Sequence, residues 1–424
     1  MNDKRIIIHV DLNSFFATAE QQTNPALRGK PIGVIKAKGR SCIIASSVEA
    51  KKLGVMTGAR TYDAKKLCPE IILVPANFSK YADISRRFIK ICASYSPACE
   101  VFSLDECFLD VTETEHLFGN VFNIAFEIKD RIKCEIGDYL TCSVGISHNK
   151  LLSKLASGRI KYDGLFWITE DNALKVLDEV KLMDVCGLGW GLYEHLTKLG
   201  IDTFAGLRAL SLSELQRNFE PFWGIHLYNL ARGIDTSPVA PFQELSEQKS
   251  VGRTYTTHRP LKDRVEIYRL ARNLCEEATA KARVMGLAGR YVDFYLRTSG
   301  KKWSGPKEVN SEIQSWHGHR TLKNYIDSGK ELFDICKLIS ENWDFKDVIF
   351  CGVTLGMLAK KEYLPLPIFE ADRKLWNLII SSDQINNRFG DYTVFPAQLL
   401  GMPIIMPEVT GYFGDKAYRL RYEL

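Results

Sequence analysis

The sequence predicts a multidomain protein of the α+β class. Three observations carry that prediction. At 424 residues the chain exceeds what one compact hydrophobic core organises, so roughly two to four domains are expected. Strand-like and helix-like segments alternate over residues 1–166, whereas residues 170–237 show only short helical stretches with glycine turns. Residues 249–358 then read strand, helix, strand, strand, helix, strand, and that segment holds the excess positive charge.

Taken in order, "RIIIHVD" is an apolar strand, followed by a turn at Asn13–Ser14 and a helix from Phe15 to Glu20. "NPALRGKP" is a loop, "IGVI" and "SCIIAS" form a hairpin, and "SVEAKKLGV" is a short helix closed by Gly54. "TYDAKKLCP" is a second short helix stopped at Pro69, and "EIILVP" is a strand. Tyr81, Ile84, Phe88 and Ile91 recur at helical spacing within residues 79–94. A helix around 120–135, the strand "TCSVGI" and a helix from Asn149 through "KLLSKLAS" complete this part. In "VCGLGWGLYEHLTKLG", Gly187 and Gly189 separate two helical stretches, the pattern of a helix–hairpin–helix whose backbone N–H groups can grip a DNA phosphate; an ordinary tight helix–helix connection with two glycines is the alternative. "DTSPVAPFQELSEQ" is a polar linker. The basic segment gives strands at "KSVGRTYTT", "RYVDFYLRT", "EVNSEIQSW" and "DVIFCGVTL", with helices over 263–285 and 321–342. His317 and His319 are expected as surface residues on a loop, without ligand company. Beyond residue 358 only a helical patch at 372–388 is legible.

The composition, 46% hydrophobic and 25% charged, is that of a soluble globular protein. The opening "MNDKRIIIHVDLNSFF" has its apolar run broken by His9 and Asp11, unlike a signal peptide, and nothing later is apolar enough to span a bilayer. Eleven cysteines occur without a C-x-x-C pair, which favours a reducing, cytoplasmic setting over a disulfide or zinc framework. Residues 249–361 hold 21 Lys and Arg against 13 Asp and Glu, a net +8, leaving −3 for the remainder. A polyanion such as nucleic acid is the natural partner for that segment; a merely solvated basic face is the alternative.

The chemistry concentrates in "VFSLDECFLDV", residues 101–111, where Asp105 and Glu106 interrupt an apolar run. On a straight strand, neighbours point to opposite faces and do not serve one site. A sharp turn at Leu104–Glu106 lets both project from a tip. Two close carboxylates stay ionised in a buried place only if a cation compensates them. Asp11 ends the first apolar strand, where functional groups emerge. Three acids at strand ends suit two magnesium ions, which prefer oxygen ligands and retain substrate phosphates in their shell. A salt-bridged hairpin tip is the competing explanation.

"HVDLNSFFATAE", "IASSVEAKKLGV", "FSLDECFLDV", "SVGISHNKLLSKLAS" and "KYDG", in this order, resemble the Y-family DNA polymerases, the translesion class that includes bacterial DNA polymerase IV and the catalytic subunit of polymerase V. The resemblance covers residues 1 to about 358 and implies a right-hand polymerase. Its palm would span 1–18 and 77–166, its fingers 19–76, its thumb 167–237 and a basic little finger 249–358, with a linker at 238–248 and a tail at 359–424. It implies that Asp11, Asp105 and Glu106, with the Leu12 carbonyl, hold two Mg²⁺. The triphosphate of a dNTP would lie on the backbone N–H groups of Asn13, Ser14, Phe15 and Phe16, contacted by Lys51 and Lys161. Phe16 would be the sugar gate that excludes a 2′-hydroxyl, while the Phe15 ring packs in the core. Primer–template DNA would meet Gly187, Gly189, Lys249, Arg253 and Arg297. Cys42 and Gly58 stand where relatives pack small residues against the templating pair; close packing inside the fingers is the alternative. "YLPLPIF" would offer Leu366, Ile368 and Phe369 to a sliding clamp, with Pro365 where relatives have Gln; a plain extended linker is the alternative.

This chain departs from many relatives at three places: Val48 replaces Tyr, Lys51 replaces Arg, and "KYDG" replaces Lys-Pro-Asn-Gly. Lysine lacks the bidentate fork of arginine, so weaker nucleotide affinity is expected. These differences and the Asp-x-Asn of "DLN" lean towards polymerase V. The function implied is DNA-templated, low-fidelity DNA synthesis past lesions. Against it stand a non-catalytic polymerase-like DNA-binding factor, which intact carboxylates disfavour, and another palm enzyme such as a nucleotide cyclase, which needs no helix–hairpin–helix.

Overall fold

A computed structural model describes residues 5–36, 42–241, 248–298, 315–344, 346–365, 368–401 and 403–405. Two compact units meet in sequence at Leu245 and Ser246. In the first, β1 (Ile7–Leu12) runs into α1 (Phe15–Thr23). Then come β2 (Ile32–Ile35), β3 (Ile43–Ser46), α2 (Val48–Lys52), α3 (Thr61–Leu67), β4 (Ile72–Pro75) and α4 (Phe78–Ala93). The hairpin β5 (Cys99–Val101) and β6 (Glu106–Asp110) follows, with α5 (Val121–Arg131), β7 (Cys142–Ser147), α6 (Lys150–Arg159) and β8 (Leu165–Trp167).

The main sheet has the order β5-β6-β1-β7-β8, so β1 is central, with antiparallel neighbours β6 and β7. Both of its faces are covered, which is why β1 reads as an almost unbroken apolar run. Ile8, Val10 and Leu12 face a core shared with Phe88, Ile91 and Ile124 of α4 and α5. His9 and Asp11 lie on the other face, towards α6. Gly145 of β7, opposite His9, lets α6 approach: a Cβ there would collide with the Ser153 carbonyl oxygen. Fully burying side chains such as Val10 and Leu12 contributes about 1.5–3 kcal/mol each. A smaller sheet, β3-β2-β4, pairs β2 and β3 antiparallel as the expected hairpin. Cys42 and Gly58 are exposed, and a Cβ on Gly58 would meet nothing within 4 Å, so close packing is not what keeps that position small.

α7 (Glu170–Asp178), α8 (Trp190–Lys198), α9 (Phe204–Ala209) and α10 (Leu212–Ala231) build a helical layer around Leu177, Leu196, Phe204 and Leu227. Leu152 and Leu155 of α6 enter the same cluster. α10 is kinked where Glu220, at φ 63°, precedes Pro221, a residue that cannot continue the helical hydrogen-bond ladder.

In the second unit β9 (Ser250–Leu261), α11 (Arg264–Val284), β10 (Leu287–Thr298), β11 (Ser315–Ile326), α12 (Gly329–Ile339) and β12 (Val348–Lys360) form a sheet of order β11-β10-β12-β9. α11 and α12 cover the face of Val251, Phe294 and Val353. The helix expected from 321 begins only at Gly329, because residues 321–326 extend β11. Leu322, Tyr325 and Ile326 mimic helical spacing, but β11 is an edge strand paired only with β10. His317 and His319 therefore sit on a strand rather than a loop, with His317 paired to Asp293 and His319 stacked on Tyr291. The expected strand over 308–316 falls within the described residues only from Ser315. α13 (Glu370–Phe389) and the segment after it belong to this unit as well. Arg283 of α11 grips Asp383 through two hydrogen bonds of 2.6 and 2.8 Å. Asn273, buried in α11, bonds the Ile405 backbone and the Tyr392 hydroxyl.

Candidate active site

Strand register assembles the acidic site. Asp11 of β1 stands opposite Glu106 of β6 and Ser143 of β7. Asp105 occupies the hairpin turn before β6, and its carbonyl accepts the Leu12 N–H at 2.8 Å. The turn resolves the alternation problem, since only Glu106 is committed to the strand's pleat.

Each carboxylate has its own electrostatic setting. Asp105 accepts a 2.5 Å hydrogen bond from Ser103, yet burial, reinforced by the charges of Asp11 and Glu106, pushes its pKa up to about 6. Burial also pushes Glu106 upward, but hydrogen bonds from His9 and Lys154 and the Lys154 charge outweigh it and hold the group at about 2. His9 Nε2 and Lys154 Nζ both engage the same oxygen, Glu106 Oε2, the former at 3.0 Å. His9 Nδ1 meets the Ser157 hydroxyl at 2.7 Å, and burial holds the imidazole below its usual pKa. Asp11 is ion-paired with Lys161. Lys51 donates to the Ser14 hydroxyl at 2.8 Å, and burial with the nearby Lys161 charge lowers its pKa. Lys51, Lys154 and Lys161 are thus the cations nearest Asp11, Asp105 and Glu106.

Reasoning from sequence missed His9 and Lys154. The available signals were the His9–Asp11 spacing of two, which places both on one strand face, and Lys154 with Ser157 on one face of α6.

Other positions fall out differently. Ser14 is left-handed at φ 50°, and α1 opens without a side-chain cap, so its leading N–H groups lack an intrahelical partner. Asn13 is a correction: its N–H is already given to the Thr141 carbonyl at 2.9 Å and its side chain is buried, so it offers a triphosphate nothing. Phe15 is core. Phe16 is half-buried, stacked on Tyr81 at 4.2 Å between centroids and edge-on to Phe78 at 6.0 Å. A cleft of about 670 Å³ connects Asp11, Lys154 and Lys161 with Met183, Gly187 and Gly189. Gly187 has φ 99°, and its carbonyl accepts from His226 Nε2 at 2.9 Å; Gly189 is the N-cap of α8.

Among the described residues no three His, Cys, Asp or Glu side chains form a ready-made metal cage; Asp11 is ion-paired with Lys161 and Glu106 with Lys154. That arrangement still suits Mg²⁺, which is held by a few carboxylates together with substrate phosphates rather than by an all-protein cage. The raised Asp105 marks a crowded anionic site that a divalent cation would relieve.

Comparison with known proteins decides the family. The impB/mucB/samB family model matches residues 10–158 and its C-terminal domain model residues 248–366, while a model described as the DNA polymerase-iota thumb domain matches 183–235. The chain is 33% identical to DNA polymerase IV of Pelotomaculum thermopropionicum, over 92% of this chain and 94% of that one. It is 31% identical to DNA polymerase IV 2 of Bacillus subtilis, over 94% and 96%. The chain belongs to the Y-family of translesion DNA polymerases. A solved Y-family DNA polymerase chimera superposes with a TM-score of 0.69 at 26% identity, covering 83% of this chain and 98% of that one. Both bacterial relatives carry the name polymerase IV.

The second unit's sheet has a further face, opposite the one that α11 and α12 cover. Arg297 lies on it, with its guanidinium 4.9 Å from the Phe350 ring centroid, and Lys249 is exposed just before β9. Arg253 is a second correction. Strand alternation turns it to the helix-covered face, where it pairs with Glu277 of α11 at 2.7 Å with both side chains about nine-tenths buried. Ile368 and Phe369 are 78% and 75% exposed, while Leu366 lies outside the described residues.

Proposed function

We infer that this chain is a DNA-directed DNA polymerase that adds dNTPs to a primer 3′ end and synthesises past lesions at low fidelity. The observation that carries this reading is the meeting of Asp11, Asp105 and Glu106 with Lys51 and Lys161 at the uncapped start of α1. In it, residues 1–18 and 77–166 are palm, 19–76 fingers, 167–237 thumb and 249–358 little finger.

Asp11, Asp105, Glu106 and the Leu12 carbonyl would hold two Mg²⁺, which supply charge stabilisation at the attacking and leaving oxygens. Lys51, Lys161 and the N–H groups of Ser14, Phe15 and Phe16 receive the triphosphate oxygens; Lys161 exchanges its pairing with Asp11 for the nucleotide. The Phe16 ring, braced by Tyr81, lies under the sugar and excludes a 2′-hydroxyl. Gly187 and Gly189 present backbone N–H groups to a phosphate of the primer–template, and Lys249 and Arg297 add charge contacts. Ile368 and Phe369, with Leu366, offer apolar side chains to a sliding clamp. Eleven free cysteines suit a reducing, cytoplasmic setting.

Primer extension with Mg²⁺ and four dNTPs tests the reading. Template-directed extension is expected, and a chain that binds primer–template but never extends it would identify a DNA-binding factor instead.

A further inference from the structure

The loop after α6 is tied to the site and to α5 through Lys161, Tyr162 and Asp163. Lys161 pairs with Asp11, and the Tyr162 ring centroid lies 5.8 Å from Lys51 Nζ. Asp163, at φ 57°, places its carboxylate between Lys129 at 3.1 Å and Lys133 at 2.9 Å. Lys129 also donates to the Asp163 carbonyl at 2.5 Å. Gly164 packs so tightly that a Cβ would collide with the Ile160 carbonyl oxygen.

The other half of this connection is Asn13, only 1% exposed. Its Oδ1 accepts from the Asp163 N–H at 2.8 Å and the Thr141 hydroxyl at 3.0 Å, and its Nδ2 donates to the Ser143 hydroxyl at 2.9 Å. Asn13 follows Asp11 and Leu12 directly, so one side chain joins the metal turn, β7 and the Lys161 loop. An amide suits the place: it donates and accepts at once, whereas a carboxylate there loses the donor to Ser143 and adds an anion beside Asp11.

We infer that Asn13 and Asp163 form a buckle that positions Lys161 for the incoming triphosphate. Both are positioning residues, and the inference rests on the reading of Lys161 as a triphosphate contact. A lysine ammonium is a point charge on a long flexible stem, so its placement depends on a fixed backbone at its root. Asn13 anchors that backbone through the Asp163 N–H, and Asp163 is held by the two lysines of α5 and the turn after it.

The test is single-nucleotide insertion by the full chain, with KM for dNTP, kcat and melting temperature measured for Lys161→Ala, Asn13→Ala, Asp163→Asn and each double variant with Lys161→Ala. Loss of the charged contact in Lys161→Ala should raise KM roughly tenfold. Asn13→Ala and Asp163→Asn should raise KM severalfold with a smaller change in kcat. Each double variant should be no worse than Lys161→Ala alone, because the buckle acts through that side chain. A merely structural role would lower the melting temperature and leave the effects on KM multiplicative, which overturns the buckle. If Asn13→Ala does not fold, the milder Asp163→Asn cycle decides alone. An unchanged KM in Lys161→Ala instead refutes the reading of Lys161, whatever the other variants do.

Discussion

Asp105→Asn removes a charge that the metal-free fold carries at a cost. Burial and the neighbouring Asp11 and Glu106 lift the Asp105 pKa from 3.8 to about 6. The native state therefore holds this proton more tightly than the unfolded chain, and stability falls as pH rises from about 4 to about 6. At neutral pH the accumulated penalty is about 3 kcal/mol as an upper bound, from roughly 2.2 pKa units at 1.36 kcal/mol each. Asparagine keeps the shape and an acceptor for Ser103 but carries no charge. In chelator-treated protein at pH 7.5, Asp105→Asn should raise the melting temperature by several degrees, on the order of 5–10 °C if the full penalty is relieved. Below about pH 3 the advantage should vanish, since the wild-type carboxyl is then largely protonated in both states. Between about pH 4.5 and 2 stability is lost through Glu106, whose depressed pKa of about 2 has the opposite sign. Mg²⁺ should stabilise the wild type and not the variant, and nucleotide insertion should fall by about a thousandfold or more, some 4 kcal/mol. Paired melts with and without Mg²⁺ and a primer-extension assay make the measurement. Equal melting temperatures at pH 7.5 without metal would refute the stored penalty, and near-wild-type extension would refute the metal role.

Phe16→Ala should relax sugar selection more than it harms dNTP insertion; losing about 3 kcal/mol of discrimination would favour rNTPs over a hundredfold more than before. Because the ring is half-buried on Tyr81, the cost in stability should be about 2 kcal/mol, below that of a fully buried phenylalanine; an unchanged sugar preference in a destabilised protein would make Phe16 merely core. Arg297→Ala and Lys249→Ala should each weaken primer–template binding and reduce its salt slope by about one, as loss of one phosphate contact does. Arg253→Ala should act on stability instead, by about 3 kcal/mol, because it breaks a buried ion pair with Glu277; a salt-slope change with no loss of stability would return Arg253 to the DNA-facing set.

Local chemistry in the sequence was enough to identify the acidic site's parts. An acid at the end of an apolar strand and two acids within another are anomalies at any position, because unpaired buried charge is costly. Turn glycines and helical spacing likewise marked most elements within a few residues, since caps and periodicity are local properties. What residues alone left open depended on which face another element covers. Alternation put Arg253 on one side of β9, but only α11 lying there made that side the inside. Leu322, Tyr325 and Ile326 fit a helix as well as an edge strand until β10 paired with them. Asn13 looked like part of an exposed anion-binding turn, yet Thr141, Ser143 and Asp163, more than a hundred residues away, turned its amide inward. Glu106 has its low pKa through His9 and Lys154, one from a central strand and one from a helix that a glycine in β7 allows to approach. Hydrogen bonds and ion pairs act over a few ångströms, so partners distant in sequence exist only once the chain has folded.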